Sequence, residues 1–177
     1  MGAVYIVADE SFADALAGGA AAAAAKSPVL IVQHSAIPPP TSQELVRLQP
    51  ASIVIVGGIA SVPEKLAGLL ATYTTGPVTR LSGSDRYATA VAVSQGSFPS
   101  AAPKVFLASG SDFPDALTGG VAAALAAAPV LLVPGTCVPP IVLAEITRLN
   151  PSQVVILGGH EVLGPDVDTL TPCSTTG

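Results

Sequence analysis

The chain repeats itself at a fixed offset of 101 residues. The stretch DESFADALAGGAAAAAAKSPVLIVQ, Asp9 to Gln33, returns as GSDFPDALTGGVAAALAAAPVLLVP, Gly110 to Pro134. Asp14 falls on Asp115, the Gly18-Gly19 pair on Gly119-Gly120, and Pro28 on Pro129. The register continues without a gap through Pro38-Pro39 on Pro139-Pro140, Glu44 on Glu145, Arg47 on Arg148 and Gly57-Gly58 on Gly158-Gly159. Whatever one copy folds into, the other must build as well. Each copy reads as an apolar run, a polar turn, an Ala/Gly-rich helix stopped by proline, and a second apolar run. That order is the unit of a parallel sheet with crossover helices.

Strand-like runs fall at 4–8, 29–33, 53–56, 78–81, 105–108, 130–133 and 154–157. Helical segments are expected between them, at 13–26, 41–49, 63–72, 85–95, 114–127, 140–149 and 165–170. The Val/Ile/Leu runs are continuous rather than alternating, which implies strands covered on both faces. Strict alternation of strand and helix then gives an α/β fold with right-handed crossovers. Helices 13–26 and 114–127 are apolar on every side and therefore need burial on every side. Small-residue packing between the two units, or against a sister chain, is the expected cover.

The segment 74–103, TTGPVTRLSGSDRYATAVAVSQGSFPSAAP, follows the first copy and has no counterpart after the second. The economical division assigns it to the second unit as an opening strand and helix. This gives modules at 1–75 and 76–177, the first having lost its opening or starting after it. Half of the residues are hydrophobic and 11% charged, so a sizeable core is available.

Net charge is −5, and seven scattered Lys and Arg residues make no basic face for nucleic acid. An anionic ligand would have to be met by a few placed cations or by helix N-termini. Met1-Gly2 leads straight into a strand-like run, so no signal peptide is expected. The apolar region 116–133 is interrupted by Pro129 and reads as a buried helix and strand, with no membrane insertion. Cys137 and Cys173 lack metal-ligand spacing. They form either a disulfide pinning the tail of an exported protein or two free thiols. No metal or cofactor is expected.

Few residues carry candidate chemistry. Gly57-Gly58 and Gly158-Gly159 each follow a strand, where open α/β sheets place ligands. Neither dinucleotide nor phosphate-loop spacing surrounds them, so a structural turn is the simpler reading and a ligand cradle the alternative. Asp14 and Asp115 lie near the first turn of their helices, where a carboxylate caps free N–H groups. In RLSGSDRYATA, Ser84 is the expected N-cap, placing Arg86 in the first turn, where a cation opposes the helix dipole. Such an arginine is held by a carboxylate or serves a ligand, and Arg80 on the preceding strand can join it. His34 and His160 do not repeat and read as solvated. No nucleophile elbow or catalytic pairing stands out.

The pieces RLSGSDRYATA, LASGSDFPDALTGG, PVLLV, VPP and VVILGG, in that order, resemble the cell wall binding repeat 2 family of Gram-positive surface proteins. The resemblance implies Rossmann- or Toprim-like modules, usually three around a pseudo-threefold, tethering a protein non-covalently to the wall. It implies an extracellular, wall-associated, non-enzymatic chain. Its partners would be an anionic wall polymer or peptidoglycan-associated glycan, and other such modules within a chain or in a homo-oligomer. The family's Leu-Pro loop maps onto Ile37-Pro38 and Val138-Pro139, and the arginine of its DRY motif onto Arg86. Two modules stand here instead of three, and the first lacks the RLSGxDRY opening. Two other functions compete: a structural module building an oligomer or S-layer-like array, and a Rossmann-like small-molecule or nucleotide-binding enzyme.

Overall fold

The computed structural model describes residues 2–112 and 114–174, with residues 114–118 described by their backbone alone. The first half runs β1 (Ala3–Ala8), α1 (Phe12–Ala24), β2 (Val29–Val32), α2 (Pro39–Leu48), β3 (Ser52–Val56) and α3 (Glu64–Leu70). A 3₁₀ turn at Ala71–Tyr73 precedes β4 (Val78–Leu81) and α4 (Arg86–Ser97). The second half runs β5 (Lys104–Ser109), α5 (Pro114–Leu125), β6 (Val130–Val133), α6 (Pro140–Leu149), β7 (Gln153–Leu157) and α7 (Pro165–Asp168). Every expected strand and helix is present, with ends shifted by at most two residues.

Two parallel sheets result, ordered β2-β1-β3-β4 and β6-β5-β7. The architecture is the expected one: tandem α/β modules whose sheets carry helices on both faces. In the first sheet Val4, Ile6, Ile53 and Ile55 pack with Leu45 of α2 and with Leu66 and Leu70 of α3. The opposite face, with Tyr5, Val7 and Val56, meets α1. In the second sheet Val105, Leu107, Leu131 and Val133 pack with Val142, Ile146 and Leu149 of α6. Its other face, with Phe106, Ala108, Val130 and Leu132, joins the same cluster as Tyr5, Val7 and Leu16. The inner layer, holding α1 and parts of α4 and α5, therefore belongs to both modules.

Alanine explains the closeness of that layer. Helix α1 packs against α4, α5 and β6 at once, and Ala17, Ala20, Ala21 and Ala22 are all buried. A larger side chain at any of them would hold the neighbouring backbones apart. The need for cover is met for most of α1, where Ala23 is the one exposed alanine, but not for α5. Val121 is 62% and Leu125 85% exposed, so the outer face of α5 is bare within this chain.

The strand of segment 74–103 corrects the economical division. β4 does not open the second sheet. It pairs with β3 of the first, Ile53 opposite Val78 through Val56 opposite Leu81. Only the helix crosses over, α4 packing on β6 and α6 as well as on α1. The segment thus straddles both modules.

Cys137 and Cys173 are joined in a disulfide. The tail it holds lies along Val138, whose N–H donates to the Thr171 carbonyl at 2.8 Å while Cys173 N–H donates to the Val138 carbonyl at 3.0 Å. Among the described residues, no helix is long and apolar enough to cross a membrane.

Candidate functional site

A parallel sheet gathers the loops that follow its strands on one rim, and a crevice opens where the chain leaves a central strand in opposite directions. In the first sheet that point lies between β1 and β3. A cleft of about 270 Å³ sits there, lined by Glu10 to Asp14 after β1, by Gly58, Ala60 and Ser61 after β3, and by Gly83 to Arg86 with Thr89 after β4. The first turns of α1 and α4 line it.

Each polar group has a local reason for its position. Asp85, not Ser84, is the N-cap of α4: its Oδ1 accepts the Ala88 N–H at 2.8 Å. The preceding turn needs Gly83, because a Cβ there would stand 2.4 Å from the Ala88 Cβ and 2.5 Å from its backbone carbon. Arg86 accordingly occupies the first helical position, as expected. Its guanidinium donates to the Gly110 carbonyl and lies over the Phe12 ring at 5.8 Å. An arginine opposed by the dipole of its own helix is thereby held by a carbonyl from the second module and a ring from the first.

Asp14 is more than the helix-end carboxylate that its position in the sequence suggests. It lies in the first turn of α1 as expected, yet it is only 7% exposed. Its Oδ2 accepts from Ser11 Oγ at 2.5 Å. Burial raises its pKa, and the Ser11 hydrogen bond and the positive charge of Arg86 only partly offset this. Gly57, at φ +114°, passes so close that a Cβ there would stand 2.6 Å from Asp14 Oδ2. The glycine is both a left-handed turn and a close approach to the carboxylate. The signal in the sequence is the recurrence of Asp and Gly-Gly at one offset, which is equally compatible with helix capping.

The other sequence-derived candidates fall in separate places. Arg80 donates to the Gly57 carbonyl at 3.0 Å and to Glu64 Oε1 at 3.1 Å, bracing the turn from behind the cleft. Gly58 lines the cleft. Gly158 adopts φ +129°, repeating the turn of Gly57, and Gly159 has no neighbour within 4 Å of a Cβ position. Pro38 and Pro139 are the residues before α2 and α6, each in extended conformation, as expected of helix starts. Ile37 is half-buried and Val138 fully buried. These loops lie outside the cleft lining. His160 Nε2 lies 2.8 Å from Asp168 Oδ2 on an exposed surface. Among the described residues, no group of His, Cys, Asp and Glu could hold a metal ion.

Fold and cleft together define a tandem α/β module with a rim cleft of carboxylates, hydroxyls and one clamped arginine, a class suited to holding a ligand. The family model for Cell wall binding domain 2 (CWB2) matches residues 2–67 and 80–168. The chain belongs to that family of cell wall binding domains. Among solved structures it is similar to Cwp6 from Clostridium difficile, with a TM-score of 0.84 and 23% identity over 98% of this chain and 28% of that one. It is also similar to Cwp8 from Clostridium difficile, with a TM-score of 0.81 and 22% identity over 94% of this chain and 28% of that one. The chain thus spans little more than a quarter of either, and likeness at this identity carries the fold alone. No curated protein sequence matches.

Proposed function

We propose that the chain is a non-catalytic module that anchors a surface or secreted protein to the cell wall, placing it outside the cell. The rim cleft of the first module takes a segment of wall polymer. Family membership supports wall binding. The observation that carries the choice of site is the composition of the cleft: Glu10, Asp14 and Asp85 face a single arginine, Arg86, with Ser11, Ser61 and Ser84 between them.

Carboxylates and serine hydroxyls suit a hydroxyl-rich glycan, because sugar O–H groups donate to the one and exchange hydrogen bonds with the other. A polymer dense in charge would be repelled by three carboxylates. A sparse anionic substituent finds Arg86, whose carbonyl and ring contacts hold the guanidinium in place. The reading is therefore a glycan with occasional negative groups. The Ile37-Pro38 and Val138-Pro139 loops would act as secondary contacts on the same rims. Association with other modules of its kind, in one chain or between chains, is supported by the bare outer face of α5.

Co-sedimentation with purified cell walls tests the reading. The protein should pellet at low and at physiological salt, and Arg86→Ala should weaken retention about tenfold. A Pro38→Ala/Pro139→Ala double variant should weaken it less. Wild-type protein left in the supernatant under both conditions refutes wall anchoring, and an Arg86→Ala variant that pellets like the wild type refutes the cleft.

A further inference from the structure

The turns that lead into β3 and β4 enclose a second hollow, away from the rim cleft. It holds about 470 Å³ and is lined by Gln49, Pro50 and Thr72 to Thr75. The cleft opens where the strands end and this hollow where they begin. The five residues of β3, roughly 17 Å of strand, therefore lie between the two. No acidic or basic side chain lines the hollow, whereas the cleft holds three carboxylates and an arginine.

Local bonds fix its wall. Thr74 Oγ1 donates to the Pro50 carbonyl at 2.8 Å and accepts the Gly76 N–H at 3.1 Å. Gly76 lets this turn lie against the start of β3, because a Cβ there would stand 1.8 Å from the Ala51 carbonyl oxygen. Tyr73 is half-buried and packs against the core of the first sheet. Among the described residues its hydroxyl has no hydrogen-bond partner, and neither has the Gln49 amide or the Thr75 hydroxyl. Thr72 Oγ1 donates to the Leu69 carbonyl at 2.8 Å and keeps its lone pairs for another donor. The fold itself does not require these groups. At the 101 offset Gln49 and Pro50 fall on Asn150 and Pro151, but Thr72 falls on Cys173 and Tyr73 on Ser174. The second module uses the first of those two positions for its disulfide and has no aromatic ring at the other.

We infer that this hollow is a second glycan subsite, taking an uncharged sugar residue of the wall polymer at the end of the sheet opposite the cleft. The inference rests on the wall-binding reading above for the source of the sugar. A pyranose ring turns a face of C–H groups to an aromatic ring and carries hydroxyls around its edge, and tyrosine offers an apolar body with a polar tip. The Tyr73 and Thr75 hydroxyls and the Gln49 amide can each donate and accept, as neighbouring sugar hydroxyls require. With no cation in the lining, a phosphate or sulfate group would find no counter-charge. An extended peptide is a poorer occupant, since helix ends and turns line the hollow and present no strand edge for it to pair with. Subsites at both ends of one sheet let two strands of polymer be held at once, which lengthens retention without any tighter single contact.

Amide chemical shifts of the isotope-labelled full chain, titrated with maltotetraose and with chitotetraose to about 20 mM, test the subsite. At least one of these neutral sugars should shift the amides of Gln49, Ala51 and 72–76. Its affinity should be the same at about 0.05 and 0.5 M salt, because no charged group takes part. Tyr73→Ala should weaken binding about tenfold and Tyr73→Phe much less, since the ring is kept. Arg86→Ala, in the cleft, should leave it unchanged. Gln49→Ala alters an exposed side chain and should weaken binding about threefold without disturbing the Tyr73 packing. Amides of the hollow that respond to neither sugar overturn the inference. So does a response confined to the cleft residues 10–14 and 83–89, or one that Tyr73→Ala and Gln49→Ala both leave intact. Wall co-sedimentation is measured separately, so a chain that pellets with walls but fails this titration loses the hollow and keeps the anchoring.

Discussion

Asp14 and Glu145 are both buried carboxylates, and their neighbours push them in opposite directions. Burial is the largest influence on each and favours the neutral form. For Asp14 burial wins, because one hydroxyl and the charge of Arg86 are too little to offset it. For Glu145 the sum of hydrogen bonds from Arg148, Ser94 and Gln95 outweighs burial and holds the carboxyl below its ordinary value. The pH dependences therefore differ in sign. Asp14 contributes stability below its unfolded value of 3.8 and loses it as pH rises through the raised folded pKa. Glu145 contributes above 4.5 and loses that contribution as pH falls through its depressed folded pKa. Urea melts of Asp14→Asn should therefore gain on the wild type from about pH 4 towards 7. A difference that stays constant across that range would show that Asp14 is not the group responsible. The sequence exposed the recurrence of Asp14 and Asp115 but not the environment of Asp14. The neighbours that bury the carboxylate, Gly57 above all, are more than forty residues away in the chain.

Repetition at the level of elements lets one ion pair be read in two settings. Glu44 and Arg47 on α2 meet at 2.6 Å with both side chains in contact with solvent. Their equivalents on α6, Glu145 and Arg148, meet at 2.7 Å, and the Glu145 side chain is fully buried. The difference is α4. Ser94 Oγ donates to Glu145 Oε1 at 2.5 Å. Arg148 continues to the carbonyls of Phe98 and Pro99, at 2.8 and 3.1 Å, just past the end of that helix. The pair on α6 is therefore a clasp between helices, whereas the pair on α2 is solvated and screened. Glu145→Ala should destabilise the protein by about 3 kcal/mol, since it strands Ser94 and the inner side of Arg148. Glu44→Ala should leave the melting transition nearly unmoved, and equal effects of the two would refute the clasp. The sequence made the strands and helices legible through continuous apolar runs and proline stops. It could not reveal that β4 and α4 serve different modules, because both sheets offer an apolar strand edge of the same composition. Only the spatial order of the strands decides between them.

At the scale of the whole molecule, the repeat suggests two units that could fold separately, and the packing argues against it. The largest apolar cluster takes Tyr5 and Val7 from β1, Leu16 from α1, Val93 from α4, and Phe106 and Leu132 from the second sheet. Neither module encloses that cluster without the other. The sequence anticipated this through α1, whose alanines demanded neighbours on all sides. The bare face of α5 shows that the same demand is only half met within this chain. Phe106 is the sharpest probe, being 5% exposed and the largest apolar side chain that the second sheet contributes to the shared layer. Phe106→Ala removes it and leaves a cavity that alanine neighbours are too small to fill, so a loss of about 3–5 kcal/mol is expected. If the layer couples the modules, the loss must appear in both. Amides of β1 and β3 should lose as much exchange protection as those of β5 and β7, and calorimetry should keep a single transition at lower temperature. Were the modules independent, the variant would split the melt in two, the first sheet unfolding at its original temperature. That outcome would also remove the reason for alanine in α1, since a helix that need not be approached closely has no use for side chains so small.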